Sequence, residues 1–446
     1  MVLPPKNQEK VFEELLQDLP VEFKELAVEF KAFTRFRKIK TVEELLRIVL
    51  LYCGLDLSFR EVAGNLTMLD QCITDESVRK RLKACQPWIK ALLFEMLPSR
   101  KLDELPEGFR FCAFDGSSIQ APAATGTDYR RNEGIDLVSL EFTHLLVTDK
   151  HTGESLKHYS LSQGDVAVVD RGLCHASGIL EKSLEGADVI ARYNPTVMPL
   201  YNDDGTPLEV ISELKKDPKA TRMNFSVFAK VSSQKKKNEP NEPPVQLEGH
   251  LIVKRLSDQE AKAARTRCRK QASKKGRKKP SEDTLFLAGF LMVFTTLSPE
   301  ILSDKTLLEL YKCRWQIEIA IKRLKSLLDI DKLRSKEGII ADIWLNGKLL
   351  YALILEKSMR KQFGDDWGYL NYERRGSWWR PLKLLKRKIE PMITGVQFWR
   401  STNWAACLKV LFERPRRRKL QILPKRVIKL LPIYPEISVQ TSLSSV

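Results

Sequence analysis

The sequence predicts an α/β protein: a mixed sheet flanked by helices, with a β-rich insertion, an N-terminal helical domain and a helical C-terminal region. Three observations predict it. Apolar residues recur with helical spacing over the first hundred residues and turn to alternation near residue 109. The buried-strand pattern "VAVVD" is followed by a helical stretch near 175–185 and then "ADVIARYN", which makes a strand–helix–strand unit. After the core-strand run "LFLAGFLMVFTTL" the chain returns to helical spacing around Tyr311. With 446 residues it can bury a sizeable core and form two or three domains.

Taken in order, residues 1–100 form the helical domain. "TVEELLRIVLLYCGL" has helical apolar spacing, and Thr41 and Glu44 stand at capping-box distance. "LSFREVAGNL" and "TDESVRKRLKACQPWIKALLFEML" follow, the latter with Arg79, Lys80, Arg81 and Lys83; a helix-turn-helix DNA reader and a plain helical bundle both fit. Residues 101–197 open the sheet. "FRFCAFD" ends at Asp115 before Gly-Ser-Ser, "LVSLEFTHLLVTD" and "SLKHYSLS" complete a meander, and "VAVVD" ends at Asp170. Residues 198–284 read as the insertion, with "LEVISEL", "NFSVFAKV" and "VQLEGHLIVKRL" as strands and 256–282 as a mobile basic loop. Residues 285–365 resume the core with a strand, one long helix through Tyr311 and Lys325, and the helical "ADIWLNGKLLYALILEKSMRK". Residues 366–446 are basic and helical, with Trp367, Trp378, Trp379 and Arg380, and a patternless tail from 432.

Net charge is +18, from 75 Lys and Arg against 57 Asp and Glu, and the excess is concentrated. Residues 254–280 carry twelve basic residues and two acids; residues 413–429 carry eight and one. Such clusters suit a polyanion, nucleic acid first, while a solvated basic loop is the plainer reading. No run reaches the roughly 18 apolar residues that span a membrane, and "MVLPPKNQEKVFEELL" has no signal-peptide pattern. The eight cysteines include no CxxC pair, which speaks against cysteine-held zinc or a disulfide framework and for a reducing cytoplasm.

The most informative stretch is Tyr311-x2-Arg314-x3-Glu318-x6-Lys325. At about 100° per residue with Tyr311 at zero, Arg314, Glu318 and Lys325 fall near 300°, 340° and 320°, a stripe about 60° wide. Leu310, Ile317, Ile321, Leu324 and Leu328 form an apolar stripe beside it. An ordinary amphipathic helix with i,i+4 ion pairs has the same look. Phosphodiester cleavage by two metal ions needs about three acids converging from separate elements. Asp115 and Asp170, each ending an apolar strand, meet that demand together with Glu318. A single strand-end Asp is more often a turn or cap residue. Asp165, at the start of its strand, points away from such a site.

The stretches "LYKCRWQIEIAIKRLKSLL", "AFDGSSI" and "VVDRGLCHASG" resemble bacterial insertion-sequence transposases of the DDE class with a Tyr-Arg-Glu-Lys signature, over roughly residues 35–360. The resemblance implies a ribonuclease-H-like core in which Asp115, Asp170 and Glu318 are the catalytic, metal-binding triad for Mg2+, with Mn2+ as a substitute. It implies DNA contacts for Tyr311, Arg314 and Lys325; Arg171 and Arg192 are added on position alone. The 148 residues from Asp170 to Glu318 are too many for a bare loop and match relatives with a β-strand insertion domain. Some relatives hold a flipped base with an insertion-domain aromatic; residues 200–285 contain no Trp, and none is assigned. Trp315 is given to packing, and His144, His158 and His175, which lack ligand spacing, to structure. The function implied is cut-and-paste transposition by metal-dependent strand cleavage and strand transfer, in relatives through a hairpinned DNA end. The partners implied are double-stranded DNA, as terminal inverted repeats of its own element and target DNA, and a second copy in a homodimer. The place implied is the bacterial cytoplasm at the nucleoid. A structure-specific nuclease on the same core and a catalytically inactive DNA-binding derivative remain the alternatives.

Overall fold

The computed structural model describes residues 12–98, 109–232, 243–364 and 378–395, except the single positions 36, 70, 72, 275, 277 and 278. The basic stretch at 413–429, the tail, Trp367 and Cys407 lie outside the described residues. The strands are β1 Arg110–Ile119, β2 Tyr129–Asp136, β3 Phe142–Asp149, β4 Asp165–Val169, β5 Asp188–Arg192, β6 Arg222–Val231, β7 Val245–Arg255 and β8 Phe290–Thr295. They form one mixed sheet in the order β3-β2-β1-β4-β5-β8-β7-β6. β1, β2 and β3 are an antiparallel meander, β1, β4 and β5 run parallel, and β8 closes antiparallel on β5. This is the ribonuclease-H-like arrangement. β7 and β6 then extend the same hydrogen-bonded ladder beyond β8.

The helices are α1 Phe23–Glu29, α2 Val42–Val49, α3 Phe59–Met68, α4 Asp75–Glu95, α5 Ala176–Leu184, α6 Val210–Lys216, α7 Asp258–Lys274, α8 Glu282–Leu287, α9 Asp304–Cys313, α10 Trp315–Leu328, α11 Gly338–Phe363 and α12 Trp379–Thr394. Strand alternation divides the core into two. Phe111, Ala113 and Ile119 of β1 pack with the N-terminal helices, α10 and α11, whereas Cys112 and Phe114 pack on the opposite side with Ile179 of α5. α2 begins as its cap predicts, with the Thr41 hydroxyl accepting from Glu44 N–H. The Glu44 carboxylate reaches one residue further back than a capping box, to the N–H of Lys40 at 2.6 Å. α2 runs on into a π-turn at Leu50–Gly54, against which α11 packs. α11 is apolar and long enough to cross a membrane by composition, contrary to the sequence reading, but 83% of its apolar window is buried. Its Lys348, fully buried, pairs with Asp56.

Five expectations need correcting. β1 does not end at Asp115 but runs on through Gly116, Ser117 and Ser118 to Ile119, all paired with β2. β2 went unread because Arg131 and Glu133, both fully buried, occupy positions where alternation calls for apolar residues. "SLKHYSLS" is no strand; it holds a single 3-10 turn at Leu156–His158, where the Ser155 hydroxyl accepts from Lys157 N–H. "LEVISEL" contributes the helix α6, which buries Val210 and Leu214 four residues apart. The basic stretch at 256–282 is not a mobile loop: α7 fills most of it and α8 its end. Alanine and the straight-chain Lys, Arg and Gln are good helix formers. A capping box starts α7, with Ser257 N–H donating to Glu260 at 3.1 Å and Glu260 N–H to the Ser257 hydroxyl at 3.4 Å.

β7 lies on β8 with no room to spare. A Cβ on Gly249 would stand 2.5 Å from the Thr295 carbonyl oxygen and 2.6 Å from the Phe294 ring. Gly249→Ala therefore has to move backbone, and we expect it to lower unfolding free energy by about 1–3 kcal/mol, the usual cost of overpacking. Urea denaturation followed by circular dichroism measures this; an unchanged midpoint refutes the close docking of β7.

Candidate active site

Two parallel neighbours deliver two of the acids. In the β1–β4 register Ala113 stands beside Val168, so Asp115 and Asp170, each two residues further on, continue the same face at the same level. The Asp115 carboxylate accepts from Gly116 N–H at 2.9 Å and the Asp170 carboxylate from Gly172 N–H at 2.8 Å. α10 packs over β1 and β2 on this face and brings Glu318. The Arg314 guanidinium joins the group: it donates to Glu318 Oε1 at 2.7 Å and stands 3.8 Å from Asp115 Oδ2. Burial first, then the charge of Asp170, pushes the Asp115 pKa up to about 6; Arg314 and the Gly116 N–H oppose the rise and Glu318 adds to it. The three acids are thus within electrostatic reach of one another. As they stand, no three His, Cys, Asp or Glu side chains among the described residues close a metal site; Arg314 is the cation between Asp115 and Glu318. The donor set is oxygen only and short of positive charge, which fits hard divalent ions.

The segment from Tyr311 to Lys325 is two helices, not one. α9 and α10 meet at Arg314, where Arg314 N–H bonds to the Tyr311 carbonyl and Ile317 N–H to the Arg314 carbonyl, tightening the turn. Leu310, Ile317, Ile321, Leu324 and Leu328 are buried as predicted. Tyr311 is also buried rather than part of an exposed stripe, and burial raises its pKa, with Arg314, Arg192 and Asp170 as its charged neighbours. Lys325 lies further along α10, half-buried, where its charge acts on Glu133 of β2. Trp315 is 41% exposed with the Lys322 ammonium 4.8 Å over its ring, so it does not serve the packing role given to it.

Arg171 and Arg192 line a cavity of about 490 Å³ together with Asn194 and, from α7, Arg267, Cys268 and Gln271. Burial, and next the charge of Arg192, lowers the pKa of Arg171. The Arg192 Nε is buried without a hydrogen-bond partner among the described residues. Reading α7 as a loop hid Arg267 and Gln271; the Ser257–Glu260 cap spacing ahead of an alanine-rich basic run was the available signal. Asp165 is fully buried and held by Arg110 at 2.8 and 3.1 Å, away from the acid group. His144 packs against Phe114 and Tyr159 and accepts from Ser160 N–H at 2.8 Å; burial lowers its pKa to about 4. His158 bonds to the Gly153 carbonyl and His175 precedes α5.

Comparison with known proteins gives the family. The InsL protein of insertion sequence element IS186A of Escherichia coli K12 is 29% identical to the chain over 328 residues, 73% of this chain and 87% of that one. The transposase for insertion sequence element IS421 of Escherichia coli is 29% identical over 329 residues, with the same coverage of 73% and 87%. The transposase for insertion sequence element IS231F of Bacillus thuringiensis subsp. israelensis is 36% identical over 119 residues, 26% of this chain and 24% of that one. The model of the transposase DDE domain matches residues 112–354, more than half of the chain and the whole stretch that carries the three acids. The chain belongs to the DDE transposase family.

Proposed function

We propose that the protein moves an insertion sequence by cut-and-paste transposition, with Asp115, Asp170 and Glu318 as its catalytic acids. The observation that carries this reading is the grouping of Asp170 and Glu318 about Asp115, with Arg314 between Asp115 and Glu318. The family works with divalent metal ions; bound here they would polarise the scissile phosphodiester and lower the pKa of an attacking water. We take Mg2+ as the resident ion, with Mn2+ as a substitute, because every donor is a carboxylate oxygen. The chain's own residues do the rest. Asp115, Asp170 and Glu318 would hold the cations from β1, the end of β4 and a helix. Arg314, the cation between Asp115 and Glu318, would offer its guanidinium to a phosphate of the cleaved strand. Tyr311, which has Arg314 and Arg192 as charged neighbours, helps to orient Arg314. Arg171, Arg192 and Arg267 receive the continuing phosphate backbone in their shared cavity. Lys325 adds a phosphate contact further along α10. The DNA partners are the element's own terminal inverted repeats and a target duplex, and two copies of the chain hold the two ends.

Three outcomes test this. Asp115→Ala, Asp170→Ala and Glu318→Ala each lose cleavage of the element ends by more than about a thousandfold, several kcal/mol of transition-state stabilisation, while end binding in a gel-shift assay holds. A variant that cuts within tenfold of the wild-type rate removes its residue from the triad.

Asp115 sets a pH dependence. Its pKa of about 6 in the fold lies above the ordinary 3.8, so the charged form is disfavoured by folding. The stability it contributes is full below about 4 and is lost as pH rises through about 6, on the order of 2 kcal/mol after solvent screening. In chelator, melting temperature should fall over that window, Asp115→Asn should abolish the fall, and Mg2+ should reverse it at pH 7 in the wild type alone. Cleavage at fixed Mg2+ should run the other way and decline as pH drops below 6. A flat melting profile shared by both proteins contradicts the electrostatic account.

The cavity arginines are tested by salt. Each lost phosphate contact removes about 0.9 from the slope of log affinity against log salt, so replacing Arg171, Arg192 and Arg267 by Gln should reduce it by about two to three. An unaltered slope means that the backbone runs elsewhere.

A further inference from the structure

α7 runs for 17 residues and buries only Ala261. Helices in folded proteins usually hold their shape by packing an apolar face, and α7 has almost none. It carries six Lys or Arg, and its only acids, Asp258 and Glu260, sit in the first turn. The basic residues of α4 are differently placed, since Arg79 and Lys83 both pair with Glu337 just ahead of α11. The residues of α7 sort by direction. At about 100° per residue with Asp258 at zero, Ala264, Cys268, Ala261, Ala272 and Arg265 fall between about 240° and 340°. This is the docked side: none of the five is exposed, and Arg265 donates to the Leu285 carbonyl at 3.1 Å. Every other residue from Gln259 to Lys274 is exposed. One flank, at about 20–40°, holds Arg269 and Lys262; the opposite flank, at about 160–180°, holds Lys274 and Arg267. Arg267 there lines the cavity shared with Arg171 and Arg192. Between the flanks, at about 60–140°, lie Ser273, Thr266, Gln259, Lys270 and Ala263.

We infer that α7 lies in the major groove of duplex DNA, with its flanks on the two phosphate backbones and Thr266, Lys270 and Ser273 at the base edges. The inference rests on the transposition reading for which DNA this is, not for how the helix meets it. Charge complementarity selects the occupant, because basic flanks on opposite sides of one rod match two facing rows of phosphate. Size agrees: a helix with its side chains is about 10–12 Å across and the groove about 12 Å wide. A duplex laid against one side of α7 would leave the other flank in solvent. The residues between the flanks have the chemistry of base readout. Serine and threonine hydroxyls bond to donors or acceptors, lysine reaches guanine, and an alanine methyl meets that of thymine. The Thr266 hydroxyl donates to the Lys262 carbonyl at 2.9 Å, which leaves it to accept from the amino group of adenine or cytosine. Position agrees as well. A backbone entering the cavity on the Arg267 flank places its complement on the far wall of the groove, where Arg269 and Lys262 stand. α4 is not free for the same task, since Glu337 holds its Arg79 and Lys83.

The test measures binding of the full chain to three duplexes: the element's terminal repeat, a shuffled duplex of the same composition, and the repeat with glucosyl groups on its cytosines, which fill the major groove. Wild type should bind the glucosylated repeat at least about tenfold more weakly than the plain one, the loss expected when one base-edge contact is blocked. Lys262→Gln/Arg269→Gln/Lys274→Gln should lower the slope of log affinity against log salt by about two to three, at about 0.9 per phosphate contact, and shrink the glucosyl penalty. Thr266→Ala/Lys270→Met should keep the slope and lose about tenfold of the preference for the repeat over the shuffled duplex. All five positions are exposed, so melting temperatures should hold; the single substitutions replace any combination that does not fold. A glucosyl penalty that is absent in wild type, or as large in the triple variant, overturns the inference. So does a preference for the repeat that survives Thr266→Ala/Lys270→Met, which would leave α7 a plain phosphate contact. If wild type binds repeat and shuffled duplex alike, the transposition reading loses its DNA, and the glucosyl penalty alone decides whether α7 enters the groove.

Discussion

Mutual repulsion among carboxylates in a half-buried site is the constraint on which the rest of this structure depends. Asp115, midway along β1, and Asp170, just past the end of β4, stand at one level on adjacent parallel neighbours, and Glu318 descends on them from a helix. In a low-dielectric setting such a group cannot stay fully charged without a cation. The fold meets the demand with Arg314, which spans Glu318 and Asp115 from the join of two helices. The guanidinium is 14% exposed, so its charge is little screened where it is needed. The join matters because a straight helix would carry Tyr311 and Arg314 outward on one stripe, whereas the tightened turn sinks Tyr311 into the core beside Arg314. A site poised this way already holds a positive charge among its acids, so an incoming cation would find their repulsion partly balanced.

The sheet solves a second problem, the joining of distant chain segments at that site. β6 and β7 do not form a separate layer; they pair through β8 onto the strands that carry the first two acids. Their helix α7 therefore reaches back to Arg171 and Arg192, and three arginines from separate parts of the chain share one cavity. Hydrogen-bonded continuity fixes that distance better than a flexible tether could.

Much of this was legible in the sequence where period and chemistry pointed the same way. The apolar runs ending at Asp115 and Asp170, the buried strand–helix–strand unit and the apolar face of α10 all stand where their patterns placed them. Reading failed where a local rule was broken for a tertiary reason. β2 hides because charged residues fill its inward positions, and those are the residues that pair across from the Asp115 strand. α7 hides because low hydrophobicity was taken for disorder, although alanine, lysine and arginine favour helix, and only Ala261 in it is buried. The break at Arg314 has no propensity signal; no Gly or Pro marks it. The neighbourhood of Asp115 and Asp170 was reachable from where their apolar runs end, whereas the cavity arginines needed the docking of α7, which no local pattern encodes.

The ladder between β5 and β8 also orders events in time. β8 is synthesised about a hundred residues after β5, and Glu318 follows it. At roughly 5–20 residues per second, a ribosome takes from about seven to thirty seconds between emitting Asp170 and Glu318. Throughout that interval the nascent chain has two acids and an unpaired strand edge, and closing so long a loop is entropically slow. A product that stops before Glu318 therefore lacks the third carboxylate, and the three acids meet only once β8 has been made and has paired with β5. The topology therefore makes the meeting of the three acids a late event of synthesis, and a chain broken off within the strand ladder carries an incomplete acid group.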